Sequence, residues 1–292
     1  MFCLDPNKII WEEELGKGSY GRVLPYKSND EDNQWVVKQI VALNSKKFVS
    51  CINEIILGFS CDHPSILPIK GYFIEEVDTK PKRWEIYLKL PRMVGDLRAV
   101  IRDYKRNNKM IPQTEIVKSF YSLVLGIEYL HSKKITHRDI KPDNILLNQQ
   151  GELKIADIGA GMFIAEDDTS VFLKGEEAFG TRGYLPPEAY QRQNLKKKDL
   201  YRIDVWSLGA VIFEMCQLKM MDENPSQTAL NKIFDSLKFH YSASLVDLIQ
   251  KALTIEPSQR ISLSQIREEL EANFFYLDKN GLKLSSETME VR

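Results

Sequence analysis

The polar stretch His137–Asn144 (HRDIKPDN) dictates much of how this chain must fold. A run with apolar residues at helical spacing, Thr114–His131, precedes it, and two short apolar runs, Ile145–Leu147 and Leu153–Ala156, follow it. The first run predicts a helix, and the pair of short runs predicts a β-hairpin. A loop between a helix and a hairpin therefore carries an aspartate, a lysine and an asparagine, and Asp157 comes directly after the hairpin.

The side chains of this loop favour a particular chemistry. Asp139, Asn144 and Asp157 supply oxygen donors, and Lys141 supplies a cation. Brought together, such groups can hold magnesium and phosphate and can accept a proton from a hydroxyl group. Phosphoryl transfer requires these groups, because its catalysis consists mostly of positioning and charge neutralisation. The competing interpretation is an ordinary polar turn.

His137–Asn144 resembles the catalytic loop of eukaryotic protein kinases (H-R-D-x-K-x-x-N), and Asp157-Ile158-Gly159 resembles a variant of their D-F-G motif. Gly180–Glu188 (GTRGYLPPE) resembles the family's G-T-x-x-Y-x-x-P-E segment, and Glu256–Arg260 resembles its D-P-x-x-R. The resemblance extends over about residues 9–275, in order and at family spacings. It disfavours the plain polar turn. Because Lys141 is typical of the serine/threonine type, the resemblance identifies a eukaryotic-type serine/threonine protein kinase.

The resemblance implies an α+β, two-lobed protein-kinase fold in three parts. Residues 1–93 would form a small five-stranded β lobe with one helix and the loop for the ATP phosphates. Residues 94–275 would form a larger, mainly helical lobe with the catalytic loop and activation segment, and residues 276–292 would form a loose or docking tail. The strands predicted from alternation and turn residues are Ile9–Trp11, Arg22–Lys27, Trp35–Ile40, Ile66–Ile74 and Trp84–Leu90. The helices predicted from apolar spacing are Phe48–Ser60, Thr114–His131, Ile203–Cys216, Leu245–Leu253 and Leu263–Phe274.

The glycine-rich segment Gly16–Gly21 (GKGSYG) allows the backbone to approach phosphate oxygens without Cβ clashes. Alone this pattern is weak, because dinucleotide-binding folds and ordinary hairpin turns also contain it. A dinucleotide fold would place a helix directly after the glycines, whereas Arg22–Pro25 has the composition of a strand and turn. Lys38 follows on the next predicted strand, where the family has its phosphate-binding lysine. Glu54, on a predicted helix, is the candidate to hold Lys38.

Carried onto this sequence, the family's motifs imply a role for each site residue. The catalytic residues would be Asp139, Lys141 and Lys38: Asp139 orients the acceptor hydroxyl, and Lys141 neutralises the transferring group. The expected cofactors are ATP and Mg²⁺, and Asn144 and Asp157 would hold the metal. The residues expected to bind the nucleotide are Gly16, Gly18, Gly21, Val23, Val36, Lys38, Glu54, Leu90, Met93 and Leu146.

Four further residues are expected to support the site without taking part in the chemistry. His137 would bond to backbone near the Asp-Ile-Gly motif, so it receives no chemical role. Asp204, in a predicted buried helix, would brace the catalytic loop. Glu188, at the end of the activation segment, would pair with Arg260.

The chain departs from the family pattern at Ile158, which replaces the phenylalanine of D-F-G, and at Gly58, four residues after Glu54, where the family usually has an apolar side chain. Two small side chains in one column predict a void, at a cost of about 1 kcal/mol or more per missing methyl group. Leu57 or Phe59 is the candidate to turn in and fill it. On this interpretation, Ile158→Phe fills the void and raises activity, and the alternative is that it overpacks the column.

Kinases in which an arginine precedes the catalytic aspartate usually need a negative charge on the activation segment, and Arg138 is such an arginine. Glu177 lies eleven positions before the glutamate that ends the segment, where the family often has a phosphorylated residue. We predict that Glu177, with Glu176 beside it, replaces that phosphate, although a carboxylate carries less charge. The alternatives are solvated glutamates in a loop, with phosphorylation at Thr169 or Ser170.

Composition limits the partners and the compartment. The formal net charge of −1 argues against a dedicated nucleic-acid binder. The longest apolar stretch, Val205–Cys216, is too short to span a bilayer, and the N-terminus does not have the pattern of a signal peptide. Four cysteines without paired spacing are typical of a reducing compartment. We therefore expect a monomer that binds nucleotide and protein substrates, contacts no nucleic acid or membrane, and resides in the cytoplasm, with the nucleus as the alternative.

Three functions compete. The first is an active kinase that transfers the γ-phosphoryl group of ATP to serine or threonine hydroxyls of proteins. The second is a pseudokinase that binds a nucleotide or a partner as a scaffold, and Ile158 and Gly58 are its only support. The third is a small-molecule kinase, disfavoured because its relatives lack the peptide-seating segment Gly180–Glu188. Asp143 and Asp96 raise the further alternative of a preference for basic substrates, against simple solvation of both.

Overall fold

The computed structural model describes residues 4–18, 21–27, 34–77, 83–164, 180–191, 197–223, 225–278 and 281–285. The chain divides into two compact units, the first comprising Met1–Val94 and Leu147–Gly161 and the second Gly95–Leu146 and Met162–Arg292. We predicted one continuous second lobe from residue 94 to 275, but 147–161 belongs to the first unit. The reason is backbone pairing: the N–H of Leu67 donates to Ile155 (2.8 Å), and Ile155 donates to Ser65 (2.7 Å).

The first unit is rich in strands and the second in helices, so the predicted α+β fold is confirmed. The strands are β1 (Gly16–Gly18), β2 (Gly21–Pro25), β3 (Trp35–Ala42), β4 (Gly71–Val77), β5 (Arg83–Pro91), β6 (Gly95–Asp96), β7 (Ile135–Thr136), β8 (Ile145–Leu147), β9 (Leu153–Ile155), β10 (Met162–Phe163), β11 (Phe275–Asp278) and β12 (Gly281–Leu284). The α-helices are α1 (Ser45–Phe59), α2 (Leu97–Arg106), α3 (Gln113–Ser132), α4 (Pro187–Gln191), α5 (Lys197–Gln217), α6 (Gln227–Leu237), α7 (Ala243–Ala252) and α8 (Leu263–Phe274). Single 3₁₀ turns cover Pro6–Lys8, Pro142–Asn144 and Ile158–Ala160.

Five antiparallel strands form the sheet of the first unit, in the order β1-β2-β3-β5-β4. The predicted number of strands is confirmed, but the first strand differs, and the strand predicted for Ile66–Ile74 begins at Gly71 and ends at Val77. Within the described residues, Ile9–Trp11 contributes one bridge, from Ile9 to Tyr26, and the ladder begins at β1. Glu12–Glu14 follow Trp11 directly, and acidic residues are unfavourable in strands.

Helix α1 covers the core of the first unit with one face. It begins three residues earlier than predicted, because the side chain of Asn44 accepts a hydrogen bond from the N–H of Lys47 (2.9 Å) and caps the helix. Its buried face includes Cys51 and Ile55, which belong to one apolar cluster with Ile40 and strand residues of β5. Glu54 lies on the same buried face, so burial of a carboxylate there calls for a cationic partner.

Helices α3 and α5 supply much of the core of the second unit, and α3 also packs against α8. In α3, Phe120, Leu123 and Val124 have no exposed surface. Trp206 in α5 is likewise fully buried. The predicted helical runs therefore fall in α3, α5, α7 and α8, because each has enough buried apolar residues at helical spacing to give a clear pattern.

Three helices, α2, α4 and α6, were not predicted from the sequence. In α2 only Leu97 and Ile101 are buried, which is too few for a periodic pattern. In α6, Leu230, Phe234 and Leu237 are buried at i, i+4 and i+7, and this spacing is a signal from which α6 could have been predicted.

The loose tail predicted for residues 276–292 is wrong over 276–278 and 281–284, which lie in paired strands. Strands β11 and β12 pair antiparallel from Phe275↔Leu284 to Asp278↔Gly281. The ring of Phe275 lies 4.7 Å from that of Tyr121 in α3, which attaches the hairpin to the helical core.

None of the helices in the described part of the chain is long and apolar enough to cross a membrane.

Candidate active site

The glycine-rich segment is a hairpin whose strands are β1 and β2. Gly16 pairs with Val23, and Gly18 pairs with Gly21, while residues 19 and 20 lie outside the described residues. Gly21 has φ +137°, and a Cβ at this position would lie 1.8 Å from the carbonyl oxygen of Gln39. A side chain is therefore excluded at Gly21, as expected where backbone passes close to backbone.

Four of the predicted nucleotide-binding residues share one face of the sheet. Val23 pairs with Lys38 across β2 and β3, and Val36 pairs with Leu90 across β3 and β5. Because residues two apart on a strand point to the same side, the register places Val23, Val36, Lys38 and Leu90 together. Met93 follows β5 and is half-buried.

Lys38 lies between two carboxylates. Its Nζ is 2.9 Å from Glu54 Oε1 and 3.5 Å from Asp157 Oδ1, and all three side chains are at most 15% exposed. Burial would lower the pKa of Lys38, but the two carboxylates outweigh burial and raise the pKa above its ordinary value. The lysine is therefore a fixed cation, and the predicted contact between Lys38 and Glu54 is confirmed.

Two polar residues of α1 that were not predicted hold the Asp-Ile-Gly turn. The amide of Asn53 donates to the carbonyl oxygen of Gly161 (2.7 Å), and the hydroxyl of Ser50 donates to that of Gly159 (3.2 Å). Asp157 itself has a left-handed backbone, with φ +61°, a conformation found at constrained functional positions. Ser50 lies four residues before Glu54 and three before Asn53, so it neighbours both on the helix surface, and this spacing is the signal that could have identified Ser50 and Asn53.

The predicted void beside Gly58 is wrong. A Cβ built on Gly58 would lie 2.4 Å from Cδ1 of Ile69, so the side chain of Ile69 already occupies this space. Neither Leu57 nor Phe59 is needed to fill it. The side chain of Ile158 is 4% exposed. Its neighbours therefore enclose it, although it is smaller than the phenylalanine of the family's D-F-G motif.

Ile158→Phe should therefore lower the melting temperature, because a larger side chain in a filled core typically costs about 1–3 kcal/mol. This reverses the gain expected from the sequence. Thermal unfolding of Ile158→Phe beside wild type, with Ile158→Leu as a volume-conserving control, checks it. A higher melting temperature together with higher activity would show that unfilled space remains around Ile158.

The catalytic loop gathers the second set of predicted residues. Asp139 Oδ1 accepts a hydrogen bond from the Thr181 hydroxyl (2.7 Å), and its Oδ2 lies 2.9 Å from Lys141 Nζ. Lys141 also donates to Thr181 (2.8 Å), and the amide of Asn144 donates to the carbonyl and to Oδ2 of Asp139 (2.9 and 3.1 Å). The segment that begins at Gly180 is thereby joined to the catalytic loop.

Asp204 braces the backbone of the loop, as predicted. Its carboxylate accepts the N–H of His137 (2.9 Å) and of Arg138 (2.8 Å) and contacts His131 Nε2 (2.8 Å). Burial would raise the pKa of Asp204, but the hydrogen bonds from His131 and His137 outweigh it and lower the pKa. Because Arg138 has φ +65°, this brace holds a conformation that non-glycine residues rarely adopt. His137 is fully buried and accepts the N–H of Asp139 through Nδ1 (3.3 Å). Its bond to backbone near the Asp-Ile-Gly motif stays a prediction.

The predicted pair of Glu188 and Arg260 is confirmed. Both terminal nitrogens of the guanidinium donate to the carboxylate, at 2.7 and 3.2 Å, and the arginine side chain has no exposed surface. The guanidinium also lies over the ring of Trp206, 5.0 Å from its centre. The remaining predicted residues are Leu146, half-buried in β8, and Glu176, Glu177, Thr169 and Ser170, which lie outside the described residues.

Comparison with known proteins agrees with this geometry. Residues 10–274 match the protein kinase domain. The chain is 27% identical to Serine/threonine-protein kinase PKH3 of Eremothecium gossypii, 28% to Serine/threonine-protein kinase 10 of Homo sapiens and 30% to Aurora kinase of Yarrowia lipolytica. These matches cover 90%, 91% and 87% of this chain but only 36%, 27% and 65% of the three relatives. Members of the family generally use ATP and Mg²⁺. The resemblance seen in the sequence is thus confirmed, and the chain belongs to the protein kinase domain family, of the serine/threonine type.

Proposed function

We propose that the chain catalyses transfer of the γ-phosphoryl group of ATP to serine and threonine hydroxyls of protein substrates. The observation that carries this proposal is the cluster around Asp139, in which a buried carboxylate is held by Lys141, Thr181 and Asn144. A general base must be held within hydrogen-bond reach of the hydroxyl that it serves. This cluster holds such a carboxylate beside a cation.

Each residue of the cluster has a defined task in this proposal. Asp139 orients the acceptor hydroxyl and takes its proton as the new bond to phosphorus forms. Lys141 places a positive charge beside the same carboxylate, where negative charge accumulates on the transferring group. Thr181 links the base to the peptide-seating segment, so that binding of the acceptor and its activation are coupled.

In the first unit, Lys38 is the cation for the ATP phosphates. Glu54 orients its ammonium group, and Ser50 and Asn53 hold the turn that carries Asp157. Val23, Val36, Leu90 and Met93 supply an apolar surface for the base. Positioning of this kind, more than covalent chemistry, is what the protein contributes to phosphoryl transfer.

In each unit, one predicted metal ligand has the chemistry that a magnesium cofactor requires. Asp157 offers a carboxylate and Asn144 an amide oxygen, and Mg²⁺ prefers oxygen ligands. The amide nitrogen of Asn144 faces Asp139, which leaves its oxygen as the end available to a cation. Bound Mg²⁺ would neutralise the negative charge of the phosphates.

We also propose that the chain is a monomer and that it resides in the cytoplasm or the nucleus.

The features that supported a pseudokinase do not weaken this proposal. Ile69 fills the space beside Gly58, and Ile158 is enclosed. Both departures from the family pattern are therefore accommodated by packing, without loss of a phosphate-binding or metal-binding group. A scaffold would have no use for the hydrogen-bonded cluster around Asp139.

The test is label transfer from ATP to a generic protein substrate in the presence of Mg²⁺, followed by identification of the labelled residues. Asp139→Asn keeps the size of the side chain but removes the base, so we expect a rate at least about 100-fold lower. Asp235→Asn, on the surface of α6, is the matched control and should behave as wild type. ATP binding by wild type without label transfer, or full activity of folded Asp139→Asn, would reject the proposal.

A further inference from the structure

The guanidinium of Arg98, at the start of α2, lies among acidic and phenolic groups of the second unit. Its Nη2 and Nε lie 3.1 and 3.3 Å from Asp143 Oδ2, and its Nη1 donates to Glu214. Nη2 also donates to the hydroxyl of Tyr184, and that hydroxyl donates to the second oxygen of Glu214. Four segments of the chain thus converge on one internal cation: α2, the catalytic loop, the peptide-seating segment and α5.

Burial differs strongly among these groups. The side chain of Glu214 is 4% exposed and that of Arg98 is 18% exposed, whereas Asp143 remains 46% exposed. A buried carboxylate is stable only beside a cation that also donates hydrogen bonds, and Arg98 meets both needs for Glu214. Burial would lower the pKa of Arg98, but its hydrogen-bond partners outweigh burial and raise the pKa, so the cation persists.

The cluster borders the place where an acceptor hydroxyl must lie. Asp143 follows Asp139 by four residues, so their Cα atoms are at most about 14 Å apart, and the 3₁₀ turn at Pro142–Asn144 shortens that distance. Tyr184 follows Thr181, whose hydroxyl contacts the carboxylate of Asp139. A long basic side chain near the acceptor in a substrate peptide is therefore within reach of Asp143.

We propose that Arg98 is a specificity-determining residue, which occupies from within the protein a guanidinium site that would otherwise bind an arginine or lysine of the substrate. This inference rests on the proposed function, because the peptide that it concerns is the kinase substrate. The carboxylates of Asp143 and Glu214 together with the guanidinium of Arg98 carry a net charge of −1. Without Arg98 the two carboxylates would carry −2. Both oxygens of Glu214 are already engaged, so the enzyme does not favour acceptor sites with basic neighbours.

The other acidic residue that could favour basic substrates is also engaged. Asp96 caps α2, where its carboxylate accepts the N–H of Ala99 (2.7 Å). A carboxylate that serves as an N-cap is held at the helix terminus by hydrogen bonding and by the helix dipole. Neither Asp96 nor Asp143 therefore stands free as a site for basic side chains.

Phosphorylation of paired peptides tests the inference. Each pair has the same sequence, with arginine in one member and glutamine in the other, and the arginine is placed at each flanking position in turn. For wild type we expect kcat/KM of the arginine peptide divided by kcat/KM of the glutamine peptide to be near one at every position. For Arg98→Ala we expect at least one position with a ratio about fivefold in favour of arginine, as for one well-placed ion pair. Arg102→Ala, exposed one turn further along α2, should match wild type.

Two further measurements keep the result decisive. Arg98→Ala leaves Glu214 buried without its cation, so it can fail to fold. Arg98→Met/Glu214→Gln removes both charges, leaves Asp143 free, and should also favour arginine. Binding of the same peptides with alanine as acceptor, followed by fluorescence anisotropy, reports selectivity even without transfer, so failure of the proposed function is recognised separately. Wild type that already prefers arginine, or a double variant with wild-type ratios, would overturn the inference.

Discussion

Lys38→Met should lower the rate of phosphoryl transfer at least about 100-fold, because it removes a preorganised charge from the ATP phosphates. Methionine keeps the length of the side chain but lacks the ammonium group, which lies 2.9 Å from Glu54 and 3.5 Å from Asp157. The measurement is label transfer from ATP under single-turnover conditions. Lys70→Met, an exposed lysine that precedes β4, is the matched control.

The same substitution leaves Glu54 with a buried and unpaired carboxylate, which is destabilising in itself. A second variant separates stability from chemistry. Lys38→Met/Glu54→Gln removes the unpaired charge and should regain much of the lost melting temperature, yet it should remain inactive. Recovery of activity in this double variant would show that Lys38 acts only by supporting the fold, and its assignment to the phosphates would be wrong.

Glu188→Ala should lower the melting temperature of the second unit by roughly 6–20 °C, because loss of one partner from a buried ion pair costs about 3–5 kcal/mol. Arg260 has a fully buried side chain and also donates to the carbonyl oxygens of Thr254 (2.9 Å), Arg202 (2.8 Å) and Ile255 (3.2 Å). These bonds hold the guanidinium in place after the carboxylate is gone, so it cannot move to solvent.

Calorimetry of Glu188→Ala beside Glu268→Ala measures this effect. Glu268 lies exposed on α8, so its replacement should change stability by no more than about 0.5 kcal/mol. Glu188→Gln should fall between the two, since the amide keeps one acceptor oxygen and loses the charge. An unchanged melting temperature for Glu188→Ala would mean that the pair contributes no net stability.

The candidate catalytic residues were recognisable because each lies in a short segment whose residue types and order are informative together. Asp139, Lys141 and Asn144 occur within six residues of chain, so loop geometry alone keeps them close. Thr181 and Glu188 were recognisable for the same reason. Helices α3 and α5 of the second unit could be predicted from the spacing of their apolar residues, since both helices bury large side chains at regular intervals.

Short or weakly periodic elements could not be recognised in this way. Helix α2 buries two apolar residues, and strands β11 and β12 have only four residues each. Such elements form because the rest of the unit offers them a surface, as the ring of Tyr121 does for Phe275. Local propensity is a weak guide where this tertiary packing decides the outcome.

The sequence by itself determined the fold class, the family resemblance and the identity of the candidate catalytic set, because periodicity and motif spacing are local properties of a chain. Only the tertiary structure decided which side chains meet. Lys38 and Asp157 are 119 residues apart, and Arg98 and Glu214 are 116 apart. Ile69 fills the space beside Gly58 for the same reason. Contacts over such separations depend on the path of the whole backbone and on close packing of the interior, neither of which a local pattern encodes.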